Sequence, residues 1–157
     1  MTCTLVISWD RLHTDCKILA HQLTNKKFDA IVAIARGGLI PAAIIARELN
    51  IRLVDTICVK SYTELNTPSP IQHIKGVNPN INWEFGSNVL VIDDLVDTGS
   101  TIKHIKVKLP NAYFATIYAK SQAHDVVDTF VTEVSDDTWI LFPYDTELAY
   151  TKPISER

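Results

Sequence analysis

Ala30 to Ala35 is an unbroken apolar run, too short for a helix and suited to a buried central strand. Val89 to Ile92, mostly β-branched, reads the same way, as do Leu53–Val59 and Tyr113–Ala119. Thr129–Val131 reads as a short edge strand. Between these runs the period changes. Leu12, Cys16, Leu19, Ala20 and Leu23 share one face of a helix, with Ser8 or Asp10 as its cap. Ile102, Ile105 and Leu109 repeat at helical spacing among Lys103, Lys106 and Lys108, giving a helix over Thr101–Leu109, and Pro41–Leu49 gives another. Strands in sequence with helices between them predict an α/β fold, a mostly parallel twisted sheet with right-handed crossovers.

One long segment breaks the alternation. From Ser61-Tyr62 to about Gly86 the chain is polar and turn-rich, with Pro68, Pro70, Gly76 and Pro79. Its length marks it as functional or unstructured. Part of it could pair as strands, with Ile71 and Ile74 flanking a hairpin. Near the end, Thr138-Trp139-Ile140-Leu141-Phe142-Pro143 is aromatic-rich but too close to the terminus to begin a new layer.

At 157 residues the length prior gives one domain, 1–157, large enough for a real core. A net charge of −3 without a basic run argues against nucleic acid as a partner. No apolar stretch is long enough to span a membrane. Leu5-Val6-Ile7 is too short for a signal peptide, so a cytoplasmic protein is expected. Three cysteines, Cys3, Cys16 and Cys58, show no CxxC spacing and read as reduced residues.

The chemistry gathers at two strand ends, where open α/β sheets place ligands. After Val89–Ile92 come Asp93 and Asp94, then Asp97, then the turn Thr98-Gly99-Ser100-Thr101. Gly99 lets the backbone approach a ligand, the hydroxyls donate, and the first N–H groups of the following helix lack acceptors. The turn attracts a phosphate that the three acids repel. A phosphorylated ribose with Mg²⁺ reconciles the two. The second strand end, Arg36-Gly37-Gly38, pairs backbone N–H groups with a fixed cation and reads as another anion site.

The run Val89–Thr101 resembles the phosphoribosyl-pyrophosphate (PRPP) signature of the type I phosphoribosyltransferases. Ile34–Pro41 resembles their pyrophosphate loop and the helix after it. Ala46–Arg52, Val54-Asp55-Thr56, Asp137-Thr138-Trp139-Ile140 and the ending Lys152-Pro153-Ile154-Ser155-Glu156-Arg157 resemble the small bacterial xanthine-guanine branch. The resemblance implies that family's fold, with a purine-covering hood over roughly 135–157. It also implies a non-proline cis peptide between Ala35 and Arg36, and a loop closing over the reacting centre. That loop is shorter and more basic in the family; here it offers only His73 and Lys75.

The implied reaction moves the 5-phosphoribosyl group from PRPP to N9 of a 6-oxopurine (xanthine, guanine, less well hypoxanthine). Arg36 and Gly37 would grip pyrophosphate. Thr98, Gly99, Ser100 and Thr101 would hold the 5′-phosphate. Asp93 and Asp94 would take the ribose hydroxyls, directly or through Mg²⁺. Asp97 would accept the purine N7 proton, Lys120 would donate to O6, Trp139 would stack on the ring, and the backbone at Ile140 would meet the 2-substituent. Trp139 has the alternative of being plain core. The resemblance also implies a homotetramer. The rival readings are a hypoxanthine-guanine or pyrimidine phosphoribosyltransferase, and a non-catalytic regulator binding PRPP or nucleotide. A P-loop or dinucleotide-binding protein is excluded, because neither GxxxxGK[ST] nor GxGxxG occurs.

Overall fold

The computed structural model describes residues 3–61, 71–80, 83–145, 152 and 154–156. Its main sheet has six strands: β2 (Ala30–Ala35), β3 (Leu53–Ser61), β4 (Ile71–Lys75), β5 (Val89–Val96), β6 (Tyr113–Lys120) and β7 (Thr129–Val134). Their order is β4-β3-β2-β5-β6-β7, and every pair is parallel except β3–β4. Three helices accompany them: α1 (Trp9–Leu23), α2 (Leu39–Glu48) and α3 (Ser100–Lys106). The expected α/β architecture holds.

Alternation along the central strands explains how both faces are covered. Ile31 and Ala33 of β2 pack in one cluster with Leu12 and Leu19 of α1 and Ala42 and Ile45 of α2. Val32 and Ile34 pack in a second cluster with Ile102 and Ile105 of α3. The strands are apolar at consecutive positions because each successive side chain meets a helix-bearing face.

Element ends moved where caps and pairing decide them. Ser8 caps α1, its hydroxyl accepting from the Arg11 N–H at 3.1 Å; Asp10 lies inside the helix. β5 runs four residues past Ile92, so Asp93 and Asp94 belong to the strand. Asp93 faces Thr116 across the ladder to β6. Neighbouring β6 supplies pairing partners that override the low strand propensity of aspartate.

Two expectations need correction. Part of the polar segment does pair as a strand, β4 lying antiparallel to β3, but Ile71 and Ile74 both fall inside β4 and do not stand on either side of a turn. The carboxyl-terminal aromatic segment does begin a new layer. β8 (Thr138–Leu141) pairs in parallel with β1 (Cys3–Val6) as a separate two-stranded sheet. The short Leu5-Val6 patch, unpromising alone, finds its partner more than a hundred residues away. Of the expected hood, 135–145, 152 and 154–156 fall within the described residues; 62–70 of the long loop fall outside them.

Candidate active site

Three neighbouring parallel strands deliver the site. β2 ends at Ala35, β5 carries Asp93 and Asp94, and β6 ends at Lys120. Because β2, β5 and β6 are adjacent and parallel, their carboxyl ends share one edge of the sheet. There the candidate residues meet. The Ala35–Arg36 peptide is cis, as the resemblance implied.

The turn after β5 encloses a cavity of about 110 Å³, lined by Asp93, Asp97, Thr98, Gly99, Ser100 and Thr101 among others. Gly99 has φ +78°, the left-handed region, and immediately precedes α3. A β-carbon there would also meet Val126 Cγ2 at 2.8 Å. Thr98 Oγ1 lies 3.0 Å from Ser100 Oγ and 3.4 Å from the Ser100 N–H, which donates to it. The turn's donor-bearing residues thus line the cavity, a setting for a phosphate.

The adjacent acids have different neighbours. Asp93 lines the cavity, and its Oδ1 accepts from the Asp94 N–H at 3.0 Å. Asp94 instead packs on the Arg36-Gly37 loop: a β-carbon on Gly37 would stand 2.3 Å from its Oδ2. The Tyr144 hydroxyl donates to that oxygen at 2.5 Å. Burial, then the neighbouring Asp94 charge, raises the Asp93 carboxyl well above its usual range. Burial also raises Asp94, against the opposing hydrogen bond from Tyr144.

No group of three or more His, Cys, Asp or Glu side chains that could cage a metal occurs among the described residues. Two carboxylates next to a phosphate cradle suit a hard cation that shares its coordination with water and substrate oxygens. The donor set therefore fits Mg²⁺.

Lys120 is buried, 6% exposed, and its ammonium is tied to the segment before Trp139. Its ammonium donates to the carbonyl of Asp136 at 3.0 Å and to that of Thr138. Two of three donors hold the segment that leads into Trp139. Trp139 is 60% exposed, which removes the plain-core alternative for it, while Ile140 is buried. Asp97 is exposed at the end of the acid run.

Lys75 is engaged elsewhere. Its ammonium donates to Asp55 Oδ1 at 2.9 Å, to the Thr56 carbonyl at 2.5 Å and to the Gly76 carbonyl at 3.1 Å. All three N–H bonds are spent, two of them on β3, which leaves none for pyrophosphate. The His73 side chain falls outside the described residues. Sequence reasoning missed Tyr144. It lies 50 positions from the acid it touches, and no local pattern flags it.

Comparison with known proteins bears on the same residues. The phosphoribosyl transferase domain family matches residues 8–151. The xanthine-guanine phosphoribosyltransferase of Chromohalobacter salexigens is 49% identical over 151 residues, 96% of this chain and 90% of that protein. Purine phosphoribosyltransferase from Pyrococcus horikoshii has a similar structure, with a TM-score of 0.80 at 24% identity, over 95% of this chain and 99% of that one. Xanthine-guanine-hypoxanthine phosphoribosyltransferase of Helicobacter pylori gives 0.74 at 22% identity, over 92% and 96%. At such identities these two likenesses speak for the fold.

Proposed function

The chain belongs to the phosphoribosyltransferase family, and on that premise we propose that it joins the 5-phosphoribosyl group of PRPP to N9 of a 6-oxopurine. The observation that carries the reading is the shared sheet edge. An arginine-glycine loop, an acid pair with a phosphate-sized turn, and a buried lysine end three adjacent parallel strands. The 49% identity to a xanthine-guanine enzyme favours xanthine and guanine over hypoxanthine.

The transfer builds positive charge at the anomeric carbon and negative charge on departing pyrophosphate. The loop at Arg36-Gly37 meets the leaving group with a cation and backbone N–H groups. The Thr98–Thr101 turn fixes the 5′-phosphate, so the sugar pivots about one anchored end. Asp93 and Asp94 orient the ribose hydroxyls, directly or through the Mg²⁺ that the acid pair would hold. Bound Mg²⁺ would neutralise charge on the leaving pyrophosphate. Asp97 receives the N7 proton as the base becomes a glycoside; a positioned base of this kind contributes roughly 10²–10⁴ in rate. Lys120 has one donor left after its two carbonyl bonds, and that donor reads O6. Exposed Trp139 offers a face to the purine, and the Ile140 backbone meets the 2-substituent.

A homotetramer is what the resemblance implies; exposed Leu39, Leu53 and Val54 supply apolar surface for contacts between copies. The deciding experiment measures initial rates with PRPP, Mg²⁺ and xanthine, guanine, hypoxanthine, adenine or uracil. Pyrophosphate release with the 6-oxopurines, and little with adenine or uracil, is expected. No turnover with any base would return the chain to the non-catalytic alternative.

A further inference from the structure

Tyr144 follows β8 by three residues and reaches the opposite half of the site. Its hydroxyl donates to Asp94 Oδ2 at 2.5 Å and lies 3.5 Å from the Gly37 carbonyl. Its ring is stacked on Phe142, with centroids 5.2 Å apart and planes 5° apart, and meets Trp9 edge-on at 6.2 Å. Phe142 in turn packs edge-on against Tyr118 at 5.8 Å, and Tyr118 is fully buried. The hydroxyl is therefore carried on a stack rooted in the core. Asp94 is held from both sides, by the Gly37 α-carbon and by this phenol.

A carboxylate offers about four lone-pair sites. The phenol takes one, the Leu95 N–H and the Asp93 carboxyl engage others, and what remains faces substrate or cation. A rigid donor on one oxygen fixes the carboxylate plane, which is how supporting hydrogen bonds orient ligand-binding groups. The six-residue stretch that ends at Tyr144 begins at Trp139, the candidate base platform.

We propose that Tyr144 is a positioning residue for Asp94, holding the carboxylate against the Arg36-Gly37 loop and joining the purine segment to the PRPP half of the site. The proposal rests on the PRPP reading above. Tyr144→Phe is the cleanest probe, because it keeps the stack on Phe142 and deletes only the hydroxyl. Titration calorimetry with PRPP in Mg²⁺ should show about tenfold weaker binding for Tyr144→Phe, the scale expected for a lost hydrogen bond to a charged group. Tyr144→Leu, which also loses the stack, should bind more weakly still. Wild-type affinity in Tyr144→Phe with a lowered melting temperature would make Tyr144 a packing residue only and overturn the proposal. Tighter binding would show the hydroxyl competing with ligand and would overturn it too. Failure of the wild-type protein itself to bind PRPP is a different result, which removes the functional reading and the proposal with it.

Discussion

Gly37 and Asp94 are in direct contact: a β-carbon on the glycine would lie 2.3 Å from Oδ2 and 2.5 Å from the carboxyl carbon. The Arg36-Gly37 loop and Asp94 are thus one packed unit, and the glycine is required by proximity. Gly37→Ala must push the carboxylate off the loop and away from Tyr144. PRPP affinity in Mg²⁺ should fall at least about tenfold, with far-UV circular dichroism unchanged. Gly76→Ala is the control, since a β-carbon there meets nothing within 4 Å. Equal affinities for the two variants would mean the loop tolerates a displaced acid.

Gly99 faces two constraints at once. Its φ of +78° disfavours any β-carbon, and Val126 fills the space where one would go. Left-handed backbone alone costs an L-residue about 1–2 kcal/mol. For a chain of this size that lowers Tm by about 2–8 °C. Gly99→Val should therefore melt earlier and also lose PRPP binding, as its side chain invades the turn. A melting curve that matches wild type would show that the turn can rearrange around the new side chain.

The architecture was legible because each central strand is apolar throughout and each helix carries its own period. The acid run and both glycine turns were legible because their chemistry is contiguous. What could not be read depends on contacts between distant segments. β1 is four residues long and becomes a strand only by pairing with β8. Lys75, a lone basic residue in a polar loop, invited a role at pyrophosphate; the fold gives it Asp55 and two carbonyls instead. Tyr144 carries no motif, and its part depends on an acid 50 positions away.

The Asp55–Lys75 contact gives a pH signature independent of activity. Burial works to raise the Asp55 carboxyl, but the Lys75 ammonium and the Asn78 and Thr56 N–H groups outweigh it and hold the group below its ordinary range. A carboxyl depressed in the folded state adds stability above its unfolded pKa of about 3.9. That stability is lost as pH falls through the lower folded value. Asp55→Asn should cost about 1 kcal/mol near neutrality, since Lys75 is half exposed and screened. In urea unfolding, the gap between wild type and variant should close as pH falls below about 4. A gap that persists undiminished at pH 2 would attribute the effect to packing at the β3–β4 junction.

Lys120 tests how the base is read. Its ammonium is buried and donates to the Asp136 and Thr138 carbonyls, so the lysine both anchors the Trp139 segment and keeps one N–H for a ligand. An ammonium is donor-only. A 6-oxopurine presents an acceptor at that place, and adenine presents a donor. Two facing donors leave a buried charge unmatched, so adenine should be rejected by orders of magnitude. Glutamine at this position can accept as well as donate, but it cannot replace both carbonyl bonds. Lys120→Gln should lower kcat/KM for guanine and xanthine by about 10–100-fold and narrow the gap to adenine. The melting temperature should drop as well, because the anchor is lost. The two effects separate cleanly: a lowered melting temperature with an unchanged guanine-to-adenine ratio would leave Lys120 as the anchor alone, and O6 would have to be read by another donor.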